Sequence, residues 1–259
     1  MGSSSATSVD LYWIPLGAGG HCVRFNGRLY EALVAARKRR RRCPLYHAAL
    51  IIEADGDRYA VEIAPSPDAD EASRGVVGTG AVGSRHLGRL RRFRYEVRCW
   101  RGGSIPDLAY AVSGPRLISA DAGVARRLVE LVPVAPRPVW GRDELHAGEM
   151  WNSNSMIAWL IATAGLPTAG LRPPAGGRAP GWDAGLRVAA RDRDREEHAG
   201  GGAPRRAVRR SPPGLTRAVG QDSTASGRSA AARGFEPAAG VDLPEQCAAR
   251  SRQRSRPPA

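Results

Sequence analysis

Residues 46–64, YHAALIIEADGDRYAVEIA, decide the fold. Tyr46, Ala48, Leu50 and Ile52 alternate with His47, Ala49, Ile51 and Glu53. After Asp55-Gly56 the pattern resumes, with Tyr59, Val61 and Ile63 set against Ala60, Glu62 and Ala64. Period-two alternation on both sides of an Asp-Gly pair predicts a β-hairpin with a type I′ turn, because both central residues of that turn need positive φ. With Asp55 and Gly56 as the turn, Ala54 faces Asp57, Ala49 faces Glu62 and His47 faces Ala64. His47 and Glu62 then lie on one face as diagonal neighbours, roughly 7–8 Å apart at the backbone. The opposite face, with Tyr46, Leu50, Ile52, Tyr59, Val61 and Ile63, must be buried.

Outward from the hairpin, Leu11 to Leu16 reads as a short strand. It is followed by the Gly17-Ala18-Gly19-Gly20 loop and a second short strand at Cys22 to Phe25. Leu29, Leu33 and Val34 predict a helix over 28–42, ending in the basic run Arg37 to Arg42 and stopped by Pro44. Phe93, Tyr95, Val97 and Cys99 alternate with Arg92, Arg94, Glu96 and Arg98, which predicts a strand with one buried and one wet face. Ser119 and Asp121 open a helix carrying Val124, Leu128 and Leu131, which Pro133 stops. Trp151-Asn152-Ser153-Asn154-Ser155 precedes an apolar helix, Met156 to Ala164, with Gly165 at its C-terminal cap. The fold class this predicts is α+β, an antiparallel sheet packed with helices.

Composition changes near residue 190. Residues 191–259 hold 14 arginines and eight acidic residues among Gly, Pro and Ser, with few large apolar side chains. Such a segment buries too little apolar surface to offset its ordering entropy. The expected organisation is a disordered N-terminus over 1–7, an α+β domain over 8–190 and a disordered tail over 191–259. No apolar run approaches the roughly 18 residues of a membrane span. The first residues lack the basic and apolar regions of a secretory signal, so a cytoplasmic location is expected.

The formal charge is +14, and Lys38 is the only lysine among the 39 basic residues. That arginine bias beside abundant Ala, Gly and Pro reads as GC-rich, bacterial codon usage more than as selection for phosphate contacts. A basic protein binding nucleic acid or another anionic partner is the second reading. It would use the 37–42 run, Arg89 to Arg98 and the tail, but aromatic interleaving for base stacking is thin, since Phe93 and Tyr95 alternate to the expected core side, away from the arginines. Cys22, Cys43, Cys99 and Cys247 show neither CxxC nor zinc spacing, so neither a metal nor another cofactor is called for.

The residue types able to do chemistry are His47 on a strand, Glu62 on its neighbour, and the polar cluster opening the later helix. A hydroxyl at a helix N-terminus is stabilised as an anion by the dipole, and a strand-borne histidine can take its proton. Asn152, Ser153 and Asn154 equally suit capping of the free N–H groups at a helix start, so nucleophile and cap both remain open for Ser153.

This order resembles the circularly permuted NlpC/P60 and LRAT-like branch of the papain-like superfamily. There a His-bearing strand comes first, a polar residue follows on the next strand, and an Asn-Cys pair starts a later helix. Residues 46–52 look like the His strand, and Asn152-Ser153-Asn154-Ser155 stands where the Asn-Cys stretch would be, with Ser153 in place of the cysteine. The resemblance implies a papain-like core and a hydrolase or acyltransferase acting on amide or ester bonds of an acyl-containing small molecule or peptide, or else an inactive relative. It also implies roles: Ser153 as nucleophile, His47 as base, Glu62 as the residue that orients His47.

Overall fold

The computed structural model describes residues 6–18, 21–66 and 74–200. Its centre is a six-stranded antiparallel sheet in the order β4-β5-β3-β2-β1-β6. The strands are β1 (Ser8–Pro15), β2 (Tyr46–Ala54), β3 (Asp57–Pro65), β4 (Val76–Ala81), β5 (Arg94–Arg101) and β6 (Arg116–Ser119). The helices are α1 (His21–Arg37), α2 (Ala122–Leu131), α3 (Ser153–Thr163) and α4 (Trp182–Gly200). The α+β reading holds.

The hairpin forms as its sequence dictates. Leu50 pairs with Val61 and Ala54 with Asp57, and the turn residues Asp55 and Gly56 have φ of 52° and 84°. Ala48, Leu50, Ile52, Val61 and Ile63 enter the main core, against α2, α3 and α4. The register departs from expectation at the open end. The β2–β3 ladder stops at Leu50 and Val61, β3 continues on β5, and His47 is paired with Ile14 of β1. The expected facing of His47 with Ala64 therefore does not form. A side chain from α3, Asn154, takes up the backbone groups that would have continued the ladder.

The second face of the sheet is also covered. Ile14, Ala49, Ile51 and Ala60 form a small cluster with Ile105, and Leu108 and Ala111 of the following turn pack onto it. On β5 the alternation is real, but the expected wet face is dry. Glu96 is 0% exposed, and Arg98 is buried beside it. Arg98 donates to Glu96 (3.0 Å) and Glu62 (2.9 Å), and Arg74 and Ser66 complete the acceptor needs of Glu96 (2.8 and 2.9 Å). Charged residues alternating along a strand are compatible with burial when they neutralise one another across adjacent strands.

Three further boundaries shift. Residues 22–25 belong to α1 rather than to a strand. That helix stops at Arg37, where Arg39 turns left-handed (φ 48°) and the N–H groups of Arg39 and Arg40 return to the carbonyls of Ala36 and Ala35. This Schellman arrangement frees Arg40 to leave the helix and grip Glu31 with two hydrogen bonds of 2.5 and 2.8 Å. At the other end α4 runs to Gly200, so the domain does not close at 190. Arg191 donates to the carbonyls of Leu145 and His146, and Asp192 accepts from the Trp159 indole at 3.0 Å. The rest of the expected tail, 201–259, and most of the expected N-terminal segment lie outside the described residues. No described helix is long and apolar enough to cross a membrane.

Candidate active site

Helix α3 is buried almost throughout, from Ser153 to Ile161. A helix that enters the core must satisfy the donors of its first turn internally, because water cannot. Asn152 does so: its Oδ1 accepts from the N–H of Asn154 (2.9 Å) and of Ser155 (3.3 Å). The Ser155 Oγ returns the bond by accepting from the Asn152 N–H at 3.1 Å, closing a capping box. Asn152 and Ser155 cap the helix, and Ser153 occupies its first turn with a hydroxyl that makes no hydrogen bond among the described residues.

Asn154 fixes this helix start to the sheet. Its Oδ1 accepts from the Ala48 N–H at 2.7 Å, and its Nδ2 donates to the carbonyls of Tyr46 (3.0 Å) and Pro180 (2.9 Å). The two β2 groups flank His47 on either side, so the residue next to Ser153 holds the backbone on both sides of the histidine. The amide carries both an acceptor and donors and so replaces the missing strand partner, a substitution that an ionised carboxylate, which only accepts, could not make.

His47, Asn152, Ser153 and Asn154 line one cavity of about 310 Å³. Its other walls are largely apolar, with Leu16, Leu45, Trp140 and Met150 prominent. Burial holds the His47 imidazole below its ordinary pKa, while the Asp107 carboxylate pulls the other way. The net lowering leaves His47 neutral at pH 7, with a nitrogen lone pair able to accept a proton.

Glu62 is not among the residues brought to this cavity. Its carboxylate is bonded to Arg98, and burial raises its pKa against that arginine's pull. The carboxylate that acts on His47 is Asp107, carried by the short turn Pro106–Tyr110 across the second sheet face. Sequence reading missed it because its segment has no periodicity, and its proximity to His47 arises only when Ile105 and Leu108 pack on Ala49 and Ile51. Among the described residues no group of His, Cys, Asp and Glu is placed to hold a metal ion.

Compared with family models, with curated proteins and with solved structures, the chain matches none. The reading of the site rests on its own geometry.

Proposed function

We propose that the chain is a papain-like, NlpC/P60-related domain in which Ser153 replaces the cysteine, acting as a hydrolase or acyltransferase on an ester or amide of an acyl compound. The observation that carries this reading is that His47 and Ser153 are both among the residues lining one mostly apolar cavity, at the start of a buried helix capped by Asn152 and Ser155.

In this reading the Ser153 Oγ attacks the acyl carbonyl as its proton passes to His47. The negative charge that develops on the carbonyl oxygen faces the positive end of the α3 dipole and the N–H groups of its first turn. Collapse of the tetrahedral adduct expels the alcohol or amine, which takes the proton from His47, and leaves the acyl group on Ser153. Water, or an acceptor alcohol or amine, then attacks that ester with His47 again as base. Asp107 contributes a negative charge that favours the transient imidazolium. The apolar walls suit an acyl chain.

The test is labelling with a fluorophosphonate probe. Wild-type protein is expected to be labelled, and Ser153→Ala and His47→Ala to lose labelling while keeping the wild-type circular dichroism spectrum. Absence of labelling in folded wild-type protein overturns the hydrolase reading, and so does labelling that survives in Ser153→Ala.

A further inference from the structure

The segment Arg85–Arg94, RHLGRLRRFR, has no part in the proposed chemistry. It folds as two short 3-10 turns, Leu87–Arg89 and Arg91–Phe93, neither of which buries a residue. Leu87 and Leu90 stand in solvent at 42% and 49% exposure. Single exposed leucines are ordinary, but two on one protruding turn framed by Arg85, Arg89 and Arg92 make the mixed apolar and cationic composition suited to a headgroup layer.

The same segment forms one wall of a cleft of about 440 Å³, to which Arg85, Arg94 and Arg137 bring three guanidiniums and Glu144 one carboxylate. Arg85 is paired with Glu144 at 2.8 Å. The other two are aimed by neutral acceptors. The Arg94 Nε donates to the Gly88 carbonyl at 2.6 Å, and the Arg137 Nη1 reaches the carbonyls of Val77 and Pro133 at 3.4 and 3.3 Å. Gly78 makes room for Arg137, since a Cβ there would fall 2.2 Å from its Nη1. Guanidiniums held by carbonyls keep their full charge and their planar donor forks, the geometry that phosphate oxygens match.

We propose that the Arg85–Arg94 turns dock on an anionic bilayer, with Leu87 and Leu90 entering the headgroup layer and the Arg85, Arg94 and Arg137 cleft receiving a lipid phosphate. A nucleic acid would satisfy the arginines but would leave both leucines without a partner. The segment's Phe93 ring lies against the Arg92 guanidinium (5.5 Å) and is half-buried. The cleft adjoins the Ser153 cavity, because Val139 lines the first and the next residue, Trp140, lines the second. Docking does not depend on the serine chemistry.

Sedimentation of the full chain with vesicles tests this directly. Binding is expected to vesicles of phosphatidylcholine with phosphatidic acid and not to phosphatidylcholine alone. Leu87→Ser/Leu90→Ser is expected to weaken that binding about tenfold through lost apolar contact. Arg137→Gln should cost about fivefold through one lost cationic contact. Because both leucines are exposed, the double variant leaves the core untouched. Binding unchanged by the leucine substitutions overturns the proposal as mere charge attraction. Binding of inorganic phosphate without vesicles also overturns it, as does displacement from vesicles by a single-stranded oligonucleotide as efficient as displacement by soluble phosphatidic acid.

Discussion

At the scale of single residues, two positions hold the start of α3 in place. Replacing Asn154 by Ala leaves the Ala48 N–H and the Tyr46 carbonyl buried without their partners, whereas the Pro180 carbonyl keeps the Asn152 Nδ2. Two orphaned groups at roughly 1–3 kcal/mol each predict a loss of about 3 kcal/mol, measurable by urea unfolding. The same variant should lose most fluorophosphonate labelling under conditions where it remains folded. Gly185 of α4 is the second case. A Cβ there would lie 2.0 Å from the Ser155 carbonyl oxygen, a backbone atom that cannot rotate away. Gly185→Ala gains about 1 kcal/mol of helix propensity. It loses more than that by forcing the two helices apart, so a net destabilisation of about 2 kcal/mol is expected from thermal or urea unfolding.

Among the elements, α1 is tied down by an acid. Glu31 accepts from Arg40 and from the Cys43 N–H (2.9 Å), and these contacts, led by the Arg40 hydrogen bonds, hold its carboxyl at a pKa of about 2. A carboxyl depressed on folding contributes stability that is complete above its unfolded value of 4.5 and is lost as pH falls towards about 2. Hydrogen exchange across that window should show α1 losing protection ahead of the central strands. Glu31→Gln should remove that pH dependence and leave α1 less protected at neutral pH. Equal loss in α1 and in β2 would show that Glu31 does not hold the helix separately.

For the molecule as a whole, the hairpin was legible because period two, a turn dipeptide and a buried face all agree within 19 residues. Helix α2 was legible for a similar reason: the N-cap Asp121 accepts from the Val124 N–H at 2.8 Å, the contact its sequence position implies. What could not be read depends on partners distant in sequence. The dry side of β5 exists because Glu62 and Arg74, from separate segments, neutralise the Arg98 and Glu96 that the strand itself carries. The open end of the β2–β3 ladder exists because Asn154, over 100 residues downstream, supplies the missing partner. Helix α4 was hidden by composition: its second half is so charged that it resembles the tail, although Asp192 and Arg191 are bonded into the domain. Of the residues in the proposed site, His47 and Ser153 could be named from the sequence. Asp107 could not, since a turn without periodicity gives no sign of what it will cover.

The place of β1 has a consequence for synthesis. Strand β1 lies between β2 and β6, and its Trp13 ring packs against Trp182 of α4, with centroids 4.9 Å apart. A strand made first thus acquires its outer neighbour only after residue 119 and its aromatic cover only after residue 182. On the ribosome the hairpin can form early from local contacts, but the domain cannot close until nearly 200 residues have emerged. Nascent chains stalled before α4 should therefore expose the Trp13 side of the sheet and depend on chaperones, whereas chains stalled just beyond it should resist proteases.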